Sequence, residues 1–476
     1  MKRLYSPVAI LLLLFFTACQ TAVWAAPAKP VSLGKVRYSQ TQDKVRIVFD
    51  VDVLPEYKVS HKENPAQIII DFANTVNKDG VKQTSLNDPV VSSVKVLEPE
   101  AKKQRVVIDL KNDTMYKVFT LKNPNRVVVD IIRSYNQKFQ EEIAPGVQYT
   151  YWSRGTKDGP VAMYMVDAAP RSGYSLNPVL SNSMISGLDT LRNMAEESKA
   201  IAAVNASYFG KDGSIIGMLK IKGEIVSTPE IARTALGVMP DGTLFIDQVD
   251  YKGMVTLPDG KAVAITAVNC ERTENGLVLY NSYYGFSTGS NDYGTEYEIR
   301  GGKVTAIFPK KGNVTIAPDA LILSAHGTAE KALEGLKEGD AVTIKQALGK
   351  PWDDALHIVG AGPTLVKNGS VYLTSKLEEF ASDIAVGRAP RTAVGLTKEG
   401  HVLLVVVDGR QSHSIGMTLL ELALFMQEQG AVHAMNLDGG GSSEMVIKGK
   451  VMNKPSDGRE RKVGNALALV PDKLVN

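Results

Sequence analysis

The chain has 476 residues, of which 44% are hydrophobic and 22% are charged, an ordinary globular composition with ample length for a sizeable core. This length predicts two or three domains. The formal net charge of +3 is close to neutral for such a chain, so the composition gives no reason to expect nucleic acid or an acidic membrane as a partner.

Residues 1–26 are typical of an export signal. After a basic start comes the apolar stretch VAILLLLFF, which is too short for a comfortable membrane span. Val23 and Ala25 supply the small residues that precede a cleavage site. Cys19 offers the alternative of a lipoprotein anchor, but Phe16 fits that signal poorly, so secretion without an anchor is favoured. We expect the protein in the periplasm or cell envelope, with no transmembrane helix after signal cleavage.

The cysteine content fits an exported protein without disulfides. The chain has two cysteines, Cys19 and Cys270, and cleavage after Ala25 would leave Cys270 alone. A single cysteine cannot form an internal disulfide, so the core must supply the stability. Nothing near Cys270 marks it as a nucleophile, and we expect it to be a buried small residue.

A repeat with an offset of 59 residues follows the signal. RIVFDVDVLPEYKVSHKENPAQIIIDF begins at Arg46, and RVVIDLKNDTMYKVFTLKNPNRVVVDI begins at Arg105. Each copy predicts three short strands rich in β-branched residues, and the two copies should pack as a small sandwich. The duplicated pattern over residues 33–132 resembles the AMIN domain. This resemblance implies localisation to the cell envelope through contact with peptidoglycan, and it names no binding residues.

The rest of the chain predicts a second, larger domain. Polar residues 133–146 are typical of a linker, and residues 147–472 form one long mixed region. Helical spacing predicts a helix over 186–200 with Asp189 as its cap. A second helix over 418–429 begins with a capping box and ends at a glycine. The predicted fold class is therefore α+β, with a small all-β module before a larger domain built on a mixed α/β sheet.

Two hairpins of one design occur in this larger region. RTALGVMPDGTLFI begins at Arg233 and RTAVGLTKEGHVLL begins at Arg391. Both predict a strand, a turn with an acidic residue and glycine, and a second strand. The echo indicates an ancient duplication or two equivalent edges of a shared sheet. For Arg233 a purely structural role is as plausible as a functional one.

Two aspartates each follow a predicted strand and precede glycine. Residues 401–407 form a continuous apolar run that indicates a strand buried on both faces, and Asp408 comes directly after it. The strand AVHAMNL ends at Asp438, which is followed by three glycines and two serines. If these strands are neighbours, two carboxylates meet at one end of a sheet. Glycines without Cβ atoms would let successive N–H groups point at an oxyanion or phosphate.

Other polar residues would complete such a site. Asn205 ends a predicted strand, and its amide suits a sugar hydroxyl or phosphate. Arg388 and Arg391 precede the buried strand, and a planar guanidinium suits bidentate phosphate contact. His413 lies near the predicted site without an assigned role. A hard cation such as calcium is compatible with carboxylate and amide oxygens there, whereas the chain lacks the spacing of structural zinc ligands.

The stretches AMNLDGGGSS, VVVDGRQSHSIGMTLLELA, RTAVG, GAGPTLVKNG and VNASYFG together resemble the phosphodiester glycosidase family. This resemblance covers about residues 146–472 and implies hydrolysis of a sugar linked to a phosphodiester. One departure is that the family usually has Asn-Gly-Gly-Phe-Phe at Asn205–Phe209, so added side chains would narrow the pocket. The family motif positions correspond here to Asn205, Arg391, Asp408, Arg410, Asn436, Asp438, Gly439, Gly440, Gly441, Ser442 and Ser443.

The resemblance and the residues predict the same chemistry. Asp438 and Asp408 are the candidate catalytic acids, as general base or nucleophile and as acid or orienter. The arginines, the glycine amides and the serine hydroxyls would neutralise the phosphodiester. The predicted substrate is a glycan phosphodiester of the envelope with an N-acetylglucosamine-like sugar. The alternatives are a non-catalytic wall-binding protein and an amidase, of which the amidase lacks zinc-ligand spacing here. Which ester bond breaks, and with which stereochemistry, stays open.

Overall fold

The structure of the chain, a computed structural model, describes residues 29–474 apart from 42, 64, 89, 112–115, 134–135, 157, 159 and 412. The predicted export signal and the alternative lipid anchor at Cys19 lie outside the described residues. The chain divides into two compact units, one ending at Ile131 and the other starting at Ile132. In the second unit Cys270 is half-buried, and burial raises the pKa of its thiol to about 11. This fits an unreactive residue.

The first unit consists of strands. Alternating apolar residues place one side of each long strand in the core, as the period of two predicts. The strands are β1 (Val31–Gln40), β2 (Lys44–Val51), β3 (Tyr57–Glu63), β4 (Ala66–Phe72), β5 (Thr75–Asn77), β6 (Gln83–Ser85), β7 (Val91–Glu100), β8 (Lys103–Leu110), β9 (Tyr116–Leu121) and β10 (Arg126–Ile132).

The two copies of the early repeat exchange strands. One sheet has the order β5-β1-β2-β10-β9 and the other has the order β3-β4-β8-β7-β6. Each sheet therefore joins a hairpin of the first copy to a hairpin of the second. Both sheets bury their apolar faces in one hydrophobic core, which includes Phe49, Ile70, Val106 and Val129. The sandwich expected from the sequence is thus present, and the copies are interleaved in it.

Equivalent residues of the two copies form reciprocal ion pairs. Arg46 contacts Asp130 with Nε–Oδ1 at 2.6 Å, and Arg105 contacts Asp71 with Nε–Oδ1 at 2.6 Å. Both pairs have two nitrogen–oxygen contacts, which is the geometry that makes arginine–carboxylate pairs specific. The pairs hold each copy to the other rather than to itself.

The second unit is also built mainly from strands, and its helices are short. Its strands are β11 (Asn136–Ala144), β12 (Val147–Gly155), β13 (Pro160–Ala168), β14 (Tyr174–Leu180), β15 (Ala202–Asn205), β16 (Tyr208–Phe209), β17 (Ile215–Ile216), β18 (Leu219–Ile221), β19 (Glu224–Ser227), β20 (Arg233–Val238), β21 (Leu244–Val249), β22 (Lys252–Thr256), β23 (Ala262–Ile265), β24 (Ala267–Val268), β25 (Leu277–Tyr280), β26 (Thr295–Arg300), β27 (Lys303–Pro309), β28 (Leu321–Ala325), β29 (Thr343–Ala347), β30 (His357–Gly360), β31 (Thr364–Lys367), β32 (Ser370–Val371), β33 (Arg391–Thr397), β34 (Val402–Val407), β35 (Ala431–Asn436), β36 (Met445–Ile447), β37 (Lys450–Val451) and β38 (Asn465–Pro471). Its helices are α1 (Leu191–Glu197), α2 (Thr328–Leu333), α3 (Ser382–Ala385) and α4 (Leu419–Glu428), with 3-10 turns at Ser181–Ser183, Trp352–Asp354, Gly440–Ser442 and Asp472–Leu474.

Two local predictions are wrong. The supposed linker 133–146 contains β11, which pairs antiparallel with β12 at the edge of an eight-stranded sheet. The helix expected over 186–200 is only α1, and its cap is Thr190, whose side chain accepts the Asn193 N–H. The preceding Asp189 forms an isolated backbone bridge with Val463 instead.

The eight-stranded sheet carries the predicted buried strand and the long helix. Its order is β11-β12-β13-β34-β33-β35-β31-β32. All six residues of β34 are buried, as the continuous apolar run predicts. Helix α4 starts at the predicted capping box of Thr418 and Glu421, and apolar side chains such as Leu422 and Phe425 cover one face of the sheet.

The two similar hairpins belong to a duplicated arrangement. Repeat A consists of β18, β19, β20, β21 and β30, in the sheet order β19-β18-β30-β20-β21. Repeat B consists of β31, β32, β33, β34 and β35, and these strands have the corresponding order β32-β31-β35-β33-β34 within the larger sheet. The hairpins even share their register, because Arg233 pairs with Val249 and Arg391 pairs with Val407. The duplication that the echo indicated is therefore present in the fold.

What separates the repeats is the segment before their last strand. In repeat A, strands β22–β29 and helix α2 lie between β21 and β30, whereas in repeat B only α4 lies between β34 and β35. The pairs of repeat B are antiparallel, so the expected mixed α/β sheet is an antiparallel β-architecture with few helices. Within the described residues, no helix is long and apolar enough to cross a membrane.

Candidate active site

The two aspartates of the motif lie at the same end of one sheet. Strands β34 and β35 both pair antiparallel with β33, which lies between them, so they run parallel to each other. Both therefore finish where β33 begins at Arg391. We call this end, with Asp408 after β34 and Asp438 after β35, the acid edge. Two strand spacings correspond to roughly 10 Å between the two strand ends.

Asp408 is held by neighbouring donors on both carboxylate oxygens. Its side chain is completely buried. Oδ2 accepts the Tyr164 hydroxyl at 3.0 Å and lies 2.9 Å from His413 Nε2. Oδ1 accepts Asn453 Nδ2 at 3.0 Å and the Lys454 N–H at 3.1 Å. A carboxylate so enclosed has no lone pair turned to solvent, so the geometry favours the role of orienter over that of nucleophile.

Asp438 has the opposite environment. Its residue is half-buried, and its own Oδ1 accepts the Gly439 N–H at 2.9 Å. Burial raises the pKa of Asp438 to about 6, against the opposing effects of the Ser442 hydroxyl, the Gly439 amide and the charge of Arg461. A carboxyl group with a pKa near neutrality can both release and accept a proton at physiological pH.

Each glycine after Asp438 lies beside a different arginine. A Cβ atom added to Gly439 would lie 4.0 Å from Arg391 Cδ and 3.0 Å from the Pro390 carbonyl oxygen. A Cβ on Gly440 would lie 3.4 Å from Arg410 Nη1, and one on Gly441 would overlap Arg461 Nη2 at 2.1 Å. Gly440 also has a φ of +63°, which disfavours other residues. Gly441 thus makes room for the Arg461 guanidinium, while Gly439 and Gly440 lie in ordinary contact distance of Arg391 and Arg410.

The expected row of free amides is absent from this turn. The Gly439 N–H donates to Asp438 Oδ1, and the Gly440 N–H donates to the Pro390 carbonyl at 2.9 Å. The amides of Ser442 and Ser443 donate to the carbonyls of Gly439 and Gly440. The prediction that successive N–H groups grip an anion is therefore wrong for these four amides. The Ser443 hydroxyl is buried and has no hydrogen-bond partner within the described part of the chain, whereas the Ser442 hydroxyl acts on the Asp438 carboxyl group.

The two asparagines of the motif are buried behind Asp438. Asn205 Nδ2 donates to the Asp438 carbonyl at 2.7 Å, and its Oδ1 accepts Thr392 Oγ1 at 2.8 Å and the Glu444 N–H at 3.1 Å. With both ends engaged, Asn205 positions the turn and offers nothing to a substrate. Asn436 Nδ2 donates to Tyr208 Oη at 3.0 Å, while its Oδ1 is buried without a partner.

The predicted arginines fall into two groups. Arg391 is buried, and its guanidinium donates to the backbone carbonyls of Met417, Ile384 and Gly387. Burial lowers the pKa of Arg391, and among the described residues no carboxylate forms an ion pair with it. Arg410 is exposed and likewise unpaired there. Arg388 is instead bound by Glu421 and Asp158, so its predicted phosphate contact is not supported.

The departure from the family motif at Asn205–Phe209 changes the site at one residue. Ala206 belongs to the core, and Ser207 Oγ accepts Asn465 Nδ2 at 3.1 Å, so neither side chain narrows the site. Tyr208 does reach it, because its hydroxyl donates to the Gly362 carbonyl at 3.1 Å. Burial and the charge of Asp438 raise the pKa of Tyr208.

Sequence reasoning missed several contributors. His413 was left without a role, and only the contact with Asp408 shows that its ring is oriented toward the acid edge. Arg461 forms an ion pair with Asp457 at 2.6 Å and covers Gly441, which no motif indicated. The spacing of four residues between Asp457 and Arg461 was the only feature of the sequence that could have indicated this ion pair.

A pair of carboxyl groups lies behind the turn. Glu444 is 2% exposed, and burial together with Glu460 raises its pKa. Glu460 also forms an ion pair with Arg192 at 2.9 Å. One oxygen of each carboxyl group is buried without a partner. Two carboxyl groups this close are most stable when they share one proton.

Two further observations bound the site. Among the residues that the structure describes, no three side chains of histidine, cysteine, aspartate or glutamate come together as a metal-binding group. A calcium ion therefore stays a prediction of the sequence. A cavity of about 960 Å3 lies at the opposite end of the strands, lined by the hairpin turns with Pro240 and Glu399 and by His433. The motif residues do not line this cavity, and we take the acid edge as the candidate site because the charged groups converge there.

Comparisons with known proteins agree with the motifs. Residues 293–470 match the model of the phosphodiester glycosidase family, and residues 35–116 and 93–148 match the model of the AMIN domain. The N-acetylglucosamine-1-phosphodiester alpha-N-acetylglucosaminidase of Mus musculus is 32% identical over 160 residues, which are 31% of this chain and 30% of that protein. The aligned part therefore spans less than a third of that relative.

Two solved structures share the fold over nearly all of the chain. A hypothetical protein from Synechocystis has a TM-score of 0.65 at 22% identity, and the match covers 93% of this chain and 81% of that one. A putative exported protein from Burkholderia pseudomallei has a TM-score of 0.56 at 20% identity, with 92% and 96% covered. The chain therefore carries an AMIN domain in its N-terminal part, followed by a domain whose residues 293–470 match the phosphodiester glycosidase family.

Proposed function

We propose that the protein is an exported hydrolase that releases an N-acetylglucosamine-like sugar from a phosphodiester-linked glycan of the cell envelope. The observation that carries this proposal is the surrounding of Asp438, a carboxyl group with a pKa near 6 in a glycine turn flanked by Arg391, Arg410 and Arg461. Clustered guanidinium groups fit an anionic phosphodiester, and a carboxyl group of this pKa fits proton transfer.

The residues divide the chemistry between them. Arg391 and Arg410 neutralise the phosphodiester and the charge that develops on its leaving group. Asp438 transfers the proton, and the Ser442 and Ser443 hydroxyls supply further hydrogen bonds. Asp408 fixes the ring of His413, which is the second group able to move a proton at this edge. Hydrolysis adds water across the ester and yields a free sugar and a phosphomonoester.

The AMIN domain gives the location. A domain of this kind suggests contact with peptidoglycan, which would hold the hydrolase near envelope glycans. We propose peptidoglycan as the binding partner of the first unit and a phosphodiester glycan as the substrate of the second. A pull-down of the purified first unit with insoluble peptidoglycan tests the first half of this assignment, since free protein in the supernatant would contradict it.

The enzymatic half is tested by release of free sugar from a methyl phosphodiester of N-acetylglucosamine 1-phosphate. Wild type should release sugar, and Asp438→Asn should lose nearly all of this activity. Hydrolysis in 18O-labelled water shows which bond breaks, because the label enters the sugar on C–O cleavage and the phosphate on P–O cleavage. No turnover by the folded wild type on any sugar phosphodiester would favour a non-catalytic wall-binding protein.

A further inference from the structure

Like Arg391, Arg233 is an arginine that forms no ion pair among the described residues, and it is half-buried. It starts β20 of repeat A at the position that Arg391 occupies in repeat B. Its guanidinium carbon lies 4.6 Å from the centre of the Phe380 ring. Its Nε is buried and has no hydrogen-bond partner, and no carboxylate pairs with it within the described part of the chain. Leaving a guanidinium donor both desolvated and unpaired costs free energy.

Arg233 belongs to the neighbourhood of the acid edge. Arg233 stacks on the Phe380 ring. The centroids of the Phe380 and Tyr208 rings are 5.7 Å apart. The charges of Asp438, Arg391 and Arg233 all act on the pKa of Tyr208. The backbone supports this placement, because the Thr234 carbonyl accepts the Ala361 N–H, and the carbonyl of Gly362, the residue after Ala361, accepts the Tyr208 hydroxyl.

Glu378, the carboxylate that contacts the adjacent residue Thr234, is already engaged. Glu378 is fully buried, and it accepts the Thr234 N–H at 2.8 Å together with the hydroxyl groups of Thr234 and Thr374. These neutral donors occupy both of its oxygens, so it is not an ion-pair partner of Arg233. The stack on Phe380 fixes the plane of the guanidinium, and its nitrogen donors stay available to a ligand.

We propose that Arg233 forms a second anion subsite, which binds a phosphate group of the substrate next to the phosphodiester held at Arg391. The substrate class is then a glycan that carries successive phosphates, and a single sugar phosphodiester occupies only part of the site. This inference rests on the proposed hydrolase function and deepens it by naming the leaving portion of the substrate. A carboxylate in the same place would use the same chemistry, so the test includes both anions.

The test compares three synthetic diesters of N-acetylglucosamine 1-phosphate, whose second alcohol is neutral, carries a phosphate or carries a carboxylate. Wild type should cleave the phosphate-bearing diester with a kcat/KM at least tenfold above the neutral one. Arg233→Gln should remove this preference and leave kcat/KM for the neutral diester within about twofold. Arg233→Lys should restore part of it. Arg300→Gln, which removes the same charge from the inserted strand β26, should behave as wild type.

Each other result contradicts the inference. Equal cleavage of the neutral and phosphate-bearing diesters by wild type would overturn it, and so would an equal loss on all substrates in Arg233→Gln. A preference for the carboxylate over the phosphate would overturn the assignment to a chain of phosphates.

A binding experiment separates this inference from the proposed function. Calorimetric titration of the full chain with inorganic phosphate and with pyrophosphate needs no turnover. Arg233→Gln should weaken pyrophosphate at least tenfold and phosphate less than twofold. If no diester is cleaved by any variant, the proposed function fails, and the titration alone decides the subsite: equal affinities of wild type and Arg233→Gln for pyrophosphate would refute it.

Discussion

Repeats A and B share strand order, hairpin register and an arginine at the start of the hairpin, yet only repeat B carries both acids. The position of Asp408 corresponds to Asp250 in repeat A, which is exposed and accepts only the N–H of Tyr251. The position of Asp438 corresponds to Gly362. The backbone arrangement therefore does not make the site by itself. The two repeats differ in the burial of the aspartate after the hairpin and in the side chains from other segments that surround it in repeat B.

The comparison also explains why both arginines stay near one centre. The last strand of repeat A leads directly into the first strand of repeat B, and the Gly362 N–H donates to the Asn436 carbonyl. The two repeats thus meet where β30 and β35 end. One arginine from each repeat starts the hairpin beside this junction, whereas Asp408 and Asp438 both belong to repeat B.

The largest effect should follow from removing the acid that repeat A lacks. Asp438→Asn keeps the shape of the side chain but cannot exchange a proton, and we expect a loss of roughly 10^3-fold in kcat, the scale of general acid–base catalysis. Steady-state kinetics on the methyl diester measure this. Asp250→Asn is the matched control in repeat A and should retain full activity. Comparable activity of wild type and Asp438→Asn would remove Asp438 from the mechanism.

The second comparison concerns stability at Asp408 and Asp250. Asp408→Asn replaces an acceptor of four different groups in a buried network, so we expect the free energy of unfolding to fall by roughly 3 kcal/mol. Asp250→Asn changes an exposed side chain and should stay within about 0.5 kcal/mol of wild type. Urea denaturation measures both. A loss of similar size in the two variants would mean that the burial of Asp408 is not what distinguishes it.

The third prediction concerns the space beside Gly441 that the Arg461 side chain occupies. Gly441→Ala would place its Cβ 2.1 Å from Arg461 Nη2, which forces the arginine to move. Because the displaced group is the far end of a flexible side chain that is 41% exposed, we expect a loss of less than about 1 kcal/mol in unfolding free energy together with reduced activity. Gly335→Ala is the control, because nothing lies within 4 Å of an added Cβ there. Wild-type stability and activity of Gly441→Ala would show that Arg461 is not confined by the turn.

The last effect is a slope of the unfolding free energy with pH. The folded chain holds a proton on the pair of Glu444 and Glu460 above the ordinary Glu pKa of 4.5, because the pKa of Glu444 is raised. The folded form then binds more protons than the unfolded form, so stability falls as pH rises from about 4.5 through the raised pKa, by up to about 1.4 kcal/mol per pH unit. Glu444→Gln should flatten this slope.

The control for the pH experiment is Glu338→Gln, which changes an exposed carboxyl group and should keep the wild-type slope. Denaturation midpoints from about pH 5 to pH 9 measure it for all three proteins. A wild-type stability that rises over this range would contradict a proton shared by Glu444 and Glu460.

Patterns that repeat along the chain predicted the fold best. The offset of 59 residues predicted the sandwich, and the two hairpin sequences indicated a duplication or two equivalent sheet edges, of which the structure shows the duplication. Residues 136–144 were missed because β11 is an edge strand with polar side chains exposed on both faces, which removes the alternation that marks a strand. The helix over 186–200 was drawn too long because a backbone bridge at Asp189 competes with the first turn.

At the site, the sequence predicted position better than role. Asp408 and Asp438 do follow strands that end at one edge, since both strands end in an acid and glycine. The sequence could not show that Asp408 is enclosed by Tyr164, Asn453 and Lys454, which are distant in the chain. It showed that the glycine turn lacks side chains, but not that the Arg461 guanidinium lies in the space beside Gly441.

The exchanged hairpins of the AMIN domain have a consequence for its construction. Because each sheet combines strands of both copies, a single copy of the repeat would expose the unpaired edges of two partial sheets and the charge of Arg46 or Arg105. We therefore expect that neither copy folds by itself, although both have the same design. Cutting the chain between the copies should leave two fragments that are unfolded apart and regain structure only when mixed.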